Sequence, residues 1–237
     1  MSNAKYTYRK AHIPRGTACN RRPGLALSAA TITIHNTGNP TSTAAGERGW
    51  LTNPVNDRTA SYHIVVDAKE AIEVLPLNEV AWHAGDGSGA KSGNRTSIGI
   101  EICERDVDLG GYAQTLTNAV DLVAKMLHER GWGVDRLRRH YDWNGKNCPR
   151  LMNIDNKWTG WHQFKDRVNL RLGQLKGESE SLNLTDYQWK VLQSNVKQLR
   201  ERKIITDASW LEKVQQRTLT NSELNWLNNV IIMRLLK

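Results

Sequence analysis

A single phenylalanine, three cysteines and no apolar run near the roughly 20 residues of a bilayer span mark this 237-residue chain. Each shortage excludes something. Without a long apolar run there is no membrane-spanning helix to read. The opening Met1-Ser-Asn-Ala-Lys-Tyr-Thr-Tyr-Arg-Lys10 has no apolar leader core, so the expectation is a product made in the cytoplasm without a classical secretory signal. Cys19, Cys103 and Cys148 are too few, and odd in number, for a disulfide framework. Cys103 sits in a strand-like apolar run and reads as a small core residue. Cys19 lies in a polar, loop-like stretch. Only Cys148 has neighbours that suggest chemistry. Acidic residues are also short: 24 Asp and Glu against 33 Lys and Arg leave a net charge of +9. That favours a polyanionic partner, whether nucleic acid, anionic lipid or an acidic cell-wall polymer. The basic residues are scattered (Arg21-Arg22, Arg136-Leu-Arg-Arg139) rather than gathered in one stripe, and no nucleic-acid fingerprint accompanies them.

What is present has the composition of a globular protein, long enough for one medium domain and a small one. Nine tryptophans divide between core positions and a groove wall, where aromatic faces stack on sugar rings as well as on bases. Thr31-Ile-Thr-Ile-His35 alternates as a short strand and breaks at Asn36-Thr-Gly-Asn-Pro40. Ala44 to Leu51 reads as a short helix. Ser61–Asp67 and Ala71–Pro76 read as two hairpin strands, and Gly85–Gly93 as a flexible loop. Ser97–Cys103 is a central strand with Ile98, Ile100 and Ile102 on one face. Leu116–Arg130, stopped by Gly131, and Trp158–Leu172 have helical periodicity. The fold class is therefore α/β, a mixed central β-sheet flanked by helices. The pattern divides into a domain over 1–173, a polar linker over 174–184 and an all-α module over 185–237. In that module Thr185-Asp-Tyr-Gln188 and Thr220-Asn-Ser-Glu223 have capping-box spacing, and a further helix starts near Thr206. Leu224, Leu227, Val230, Ile231 and Leu235 form one stripe, read as the module's core; spare apolar surface there would be a dimer or docking face.

The chemistry concentrates in His140-Tyr-Asp-Trp-Asn-Gly-Lys146-Asn-Cys148-Pro149, with His35 closing a strand far upstream. Two imidazoles and a thiolate make a three-ligand zinc set with an open fourth position, although another divalent ion could use it. An open zinc polarises a carbonyl and supplies hydroxide near neutral pH, so the chain reads first as a metal-dependent hydrolase. Lys146, Asn147 and Arg150 make the Cys148 surroundings electropositive, which favours the thiolate. Glu101, opposite Ile100 and Ile102 on the central strand, is costly to bury unless it lines a cavity or is paired. It is a candidate general base, or the partner of a cation such as Arg105. Lys146 is a candidate for charge stabilisation, or a solvated loop lysine.

Taken in order, Ile34-His35-Asn-Thr, Ser61-Tyr62-His-Ile-Val-Val-Asp67, Ala81-Trp-His83-Ala-Gly, Ser97-Ile-Gly-Ile-Glu101 and His140-x7-Cys148-Pro149 resemble the type 2 N-acetylmuramoyl-L-alanine amidases over roughly residues 28–152. That family includes phage lysins and peptidoglycan recognition proteins. The resemblance implies Zn2+ on His35, His140 and Cys148, Glu101 as base and Lys146 as oxyanion stabiliser. It implies substrate-binding positions at Tyr62, His83 and Asn36; Tyr62 is the residue used in members that lack the glutamate. His63, which alternates away from Tyr62, is read as structural. The implied reaction is hydrolysis of the amide between N-acetylmuramic acid and L-alanine in peptidoglycan, by a wall-lysing endolysin of phage or prophage origin acting on Gram-positive walls after release through a holin-type pore. A bacterial autolysin is the other origin considered. The helical tail resembles C-terminal regions of such lysins, which implies wall targeting through an anionic secondary polymer or self-association. The competing function is a non-catalytic peptidoglycan-binding protein on the same fold; relatives of that kind lack the cysteine ligand that Cys148 would supply.

Overall fold

The computed structural model of the chain describes residues 4–105, 111–176, 182 and 184–235. The chain divides into two compact units, Met1–Leu172 and Gly173–Lys237.

The first unit is built on a six-stranded sheet: β1 (Thr7–Lys10), β2 (Thr31–Asn36), β3 (Ile64–Val66), β4 (Glu70–Glu73), β5 (Ser97–Ile102) and β6 (Leu137–Arg139), in the order β1-β4-β3-β5-β2-β6. Only β3 and β4 run antiparallel; every other neighbouring pair is parallel. Their hairpin closes because Asp67 Oδ1 accepts from the amides of Lys69 and Glu70 at 2.7 and 2.9 Å, a side-chain-closed turn. β2 and β5 lie side by side in the interior of the sheet, and all six residues of β2 are buried. Their register sets Ile34 beside Ile100 and His35 beside Glu101. Since successive side chains alternate, the isoleucines share one face and His35 and Glu101 the other.

The short α2 (Gly93–Thr96) leads into β5, and the isoleucine face packs on α3 (Gly111–Glu129), whose Ala119, Val123, Ala124 and Leu127 are fully buried. α5 (Thr159–Leu175) is tied to α3 by Arg171 Nε donating to Asp121 Oδ1 at 2.7 Å. On the opposite face, α1 (Ala44–Thr52) contributes Ala44 and Leu51 to a core with Tyr62, Val65 and Ile72. Thr43 caps this helix by accepting from Gly46 N. Fully burying one of these Ile or Leu side chains stabilises the fold by about 1.5–3 kcal/mol.

Several boundaries differ from the sequence pattern. α3 starts at Gly111 rather than Leu116. α5 runs on to Leu175, so Gln174 and Leu175, read as the start of the linker, are helical. Residues 177–181 and 183 of that linker lie outside the described residues. The edge strands β1 and β6 carry no apolar alternation, being Thr-Tyr-Arg-Lys and Leu-Arg-Arg, as charged sheet edges often do.

The second unit holds α6 (Asp186–Glu201), α7 (Ser209–Gln215) and α8 (Asn221–Leu235) around Trp189, Val196, Ile205, Val214, Leu219 and Leu227. Both capping boxes form: Thr185 with Gln188, and Thr220 with Glu223. Of the α8 stripe, Leu227 is buried and Leu224 and Ile231 pack against the core, whereas Leu235 is exposed.

Candidate metal centre

Three parallel strands end at one place. His35 is the penultimate residue of β2, Glu101 holds the same position in β5, and His140 follows the last residue of β6. Carboxyl ends of parallel strands are where open sheets collect ligand groups. Cys148 arrives by a return loop. The short α4 (Tyr141–Asn144) stops at Gly145, whose φ of +78° lies in the left-handed region that favours glycine. The chain then doubles back, and Tyr141 N donates to Cys148 O at 3.0 Å. The far side of the loop is pinned as well: Leu151 N donates to Asn36 Oδ1 at 3.1 Å, and Arg150 Nε donates to the fully buried Glu104 at 3.1 Å.

This geometry brings His35 together with His140 and Cys148, both more than a hundred residues downstream of it, into one buried cluster whose candidate ligand atoms all lie within 4.8 Å of one another. His35 Nδ1 stands 3.1 Å from His140 Nδ1 and 3.8 Å from Cys148 Sγ. Burial, reinforced by His83, His140 and Lys146, holds His35 well below the usual imidazole range. Burial and Lys146 bring His140 down to about 4. Both rings therefore present lone pairs at neutral pH. Cys148 departs from the sequence expectation: burial, with help from the Glu101 charge, pushes its thiol up to about 12. Lys146 opposes this shift but is outweighed, and Arg150 is engaged by Glu104. Without a cation the cysteine is a thiol.

Glu101 completes the cluster. Its Oε2 is buried with no hydrogen-bond partner among the described residues, and burial together with Glu47 raises its carboxyl to about 8. Lys146 is exposed on the return loop and lowers the Glu101 pKa through its charge. All five groups line a cavity of about 340 Å³.

The other expected site residues are present but committed. Tyr62 lines the same cavity, and its hydroxyl donates to Glu47 O at 2.9 Å. Asn36 donates to Tyr112 Oη and accepts from Leu151 N, which spends both ends of its amide on the fold. His83 uses both ring nitrogens, one toward His35 and one toward Ser97 O. His63 is structural, as expected: it accepts from Gly99 N and approaches Glu79 O at 2.8 Å. Sequence reasoning missed Glu47, Glu104, Arg58 and the cavity-wall residues Trp50 and Trp82. Trp82 precedes His83 in a quoted motif and was within reach; Glu47 and Glu104 carried no distinguishing pattern.

The sequence profile of the N-acetylmuramoyl-L-alanine amidase family matches residues 26–151, more than half of the chain and the whole of this cluster. The chain belongs to the type 2 N-acetylmuramoyl-L-alanine amidase family. Among its amidase relatives, CwlA of Bacillus subtilis (strain 168) is 42% identical over 155 residues, which cover 65% of this chain and 54% of CwlA. XlyB of the same organism is 46% identical over 133 residues, 56% of this chain and 41% of XlyB. The chain thus spans about half the length of the curated relatives it matches. Among solved structures, the catalytic domain of XlyA superposes with a TM-score of 0.59 at 40% identity, covering 68% of this chain and 99% of that domain. PlyL gives 0.60 at 32% identity, covering 68% and 96%.

Proposed function

We propose that this chain hydrolyses the amide between N-acetylmuramic acid and L-alanine in bacterial peptidoglycan, with zinc held by His35, His140 and Cys148. The observation that carries the reading is the convergence of two neutral imidazoles and a thiol beside the Glu101 carboxyl, whose buried Oε2 has no hydrogen-bond partner among the described residues. Two of the donor separations are near those of a zinc site, and all three donors lie within 4.8 Å of one another. Ligand atoms about 2.0–2.3 Å from a tetrahedral centre stand roughly 3.3–3.6 Å apart; the 3.1 and 3.8 Å separations bracket that range. Two imidazoles with one soft thiolate suit zinc among the common divalent ions.

Zinc, when bound, supplies a Lewis acid that polarises the scissile carbonyl and acidifies water. The chain's residues do the rest. Glu101 takes a proton from the attacking water as the water oxygen bonds to the lactyl carbonyl carbon. It returns that proton to the alanine nitrogen as the carbon–nitrogen bond breaks. A carboxyl raised toward neutrality suits both transfers. Lys146 offsets the negative charge that develops on the carbonyl oxygen. Trp50 and Trp82 give the cavity wall aromatic faces for sugar or peptide contact.

The wider reading places the enzyme at the cell wall as an endolysin of phage or prophage origin, acting on Gram-positive peptidoglycan after release through a holin-type pore. Support comes from the Bacillus relatives and from an endolysin structure of Bacillus subtilis at 41% identity. No described helix is long and apolar enough to cross a membrane. The helices after residue 185 act in this reading as a wall-targeting or self-association module, and the net charge of +9 favours anionic wall polymers. Digestion of purified Gram-positive walls tests the bond: new L-alanine N-termini without new reducing sugar ends are expected. Release of reducing ends instead would mean a glycosidase and would overturn the reading.

A further inference from the structure

We propose that His83 is a positioning residue for His35: it accepts the His35 Nε2 proton and thereby fixes the tautomer that leaves His35 Nδ1 as a lone pair facing His140 and Cys148. The inference deepens the zinc reading above and rests on it.

Ser97 O, at the start of β5, can only accept a hydrogen bond, and His83 Nε2 lies 3.0 Å from it. His83 therefore carries its single imidazole proton on Nε2. Its Nδ1, 3.1 Å from His35 Nε2, is left as an acceptor, so His35 must donate there. A neutral imidazole has one proton, and with that proton on Nε2 the His35 Nδ1 is bare. That nitrogen is the one 3.1 Å from His140 Nδ1 and 3.8 Å from Cys148 Sγ. Metal-binding histidines generally have their second nitrogen anchored in this way, and losing the anchor weakens metal affinity.

The anchor is itself fixed. Asn94 Oδ1 accepts from both His83 N and Ala84 N at 2.7 Å. The His83 ring lies against Gly99 of β5, where an added Cβ would come within 2.6 Å of the ring. Gly99 N donates to His63 Nδ1 at 2.9 Å, and the His63 ring meets His83 edge-on at 5.8 Å. The seat thus requires a glycine at 99 in the middle of a central strand, a place where glycine otherwise costs stability. With both nitrogens engaged and 7% of its surface exposed, His83 has no free polar atom for substrate.

The test uses the full chain. Long-range proton–nitrogen correlation spectra of the zinc-free protein should show His83 and His35 as Nε2–H tautomers; a His35 proton on Nδ1 would overturn the proposal. In competition with a chromophoric chelator, His83→Ala should lower zinc affinity about 10–100-fold. His83→Asn, whose amide oxygen reaches the former Nδ1 position, should recover most of that loss, and His83→Gln should not. At saturating zinc the KM for walls should be unchanged in His83→Ala. Unchanged zinc affinity with a raised KM would make His83 a substrate contact and sink the positioning role. Wild-type protein that binds no zinc would overturn the reading of the metal site, while the tautomer spectrum would still decide the His83–His35 hydrogen bond.

Discussion

Glu101 and His35 are register partners on adjacent parallel strands, so a carboxylate and an imidazole leave the same face of the sheet side by side at its carboxyl edge. The pairing explains why an acidic residue is tolerated in the apolar run Ile98–Ile102. It faces the cavity and not the α3 core, and it keeps a buried oxygen without a partner among the described residues. The account therefore gives Glu101 a proton-transfer role distinct from metal retention.

Glu101→Gln should retain zinc and lower wall hydrolysis by about 10²–10⁴-fold, the usual worth of a positioned general base. Metal content after dialysis and the rate of amine release check the two halves separately. Near-normal turnover would shift the proton-transfer role to Tyr62, another titratable side chain lining the same cavity.

Cys148→Ser should weaken zinc binding more than any change at His83, by at least about 100-fold, because it removes a ligand and not a support. Chelator competition measures it. The loop should stay folded, since Tyr141 N binds the backbone carbonyl of residue 148, Leu151 N binds Asn36 Oδ1 and Arg150 Nε binds Glu104, and none of these three contacts uses the thiol.

Zinc uptake should release protons. The Cys148 thiol is protonated below about 12, whereas His35 and His140 are already neutral at pH 7. At least one proton should leave per zinc, so affinity rises as pH rises through the neutral range. Calorimetry in buffers of different ionisation enthalpy counts the protons; a count of zero would contradict the thiol assignment.

Acid should destabilise the first unit through Asp121. Burial alone would raise this carboxyl, but ion pairs with Lys125 and Arg171 and the Tyr6 hydrogen bond outweigh it and hold it below the usual range. A depressed folded-state value means the stability is present above the unfolded carboxyl pKa of about 3.9 and is lost as pH falls below it. Asp121→Asn should cost roughly 1–3 kcal/mol at pH 7, with the difference from wild type shrinking toward pH 3. Urea unfolding at the two pH values checks the sign.

The site was more legible than the sheet that carries it. His140 and Cys148 share one polar turn, and His35 and Glu101 stand out because each interrupts an apolar strand pattern. β1 and β6 were not legible, because charged edge strands lack the period-two signal; yet β6 is what delivers His140 next to β2. The roles of Asn36 and His83 were also beyond the sequence. A motif shows that a polar side chain is near the site, but whether its atoms face substrate or brace a neighbour depends on partners distant in sequence. Asn36 braces the Cys148 loop through Leu151, and His83 meets His35 across 48 positions. In the cation-free site Cys148 is a thiol and not the expected thiolate for a related reason: a basic sequence neighbourhood says nothing about burial, and burial dominates here.

The most direct test of the central claim is amine release from purified Gram-positive walls by the full chain, before chelation, after chelation, and after zinc is restored. The account predicts release of L-alanine N-termini that chelation abolishes and zinc restores, with no restoration in Cys148→Ser at the zinc level that suffices for wild type. Release that persists in zinc-free protein, or that zinc restores equally in Cys148→Ser, would contradict a reaction centred on His35, His140 and Cys148.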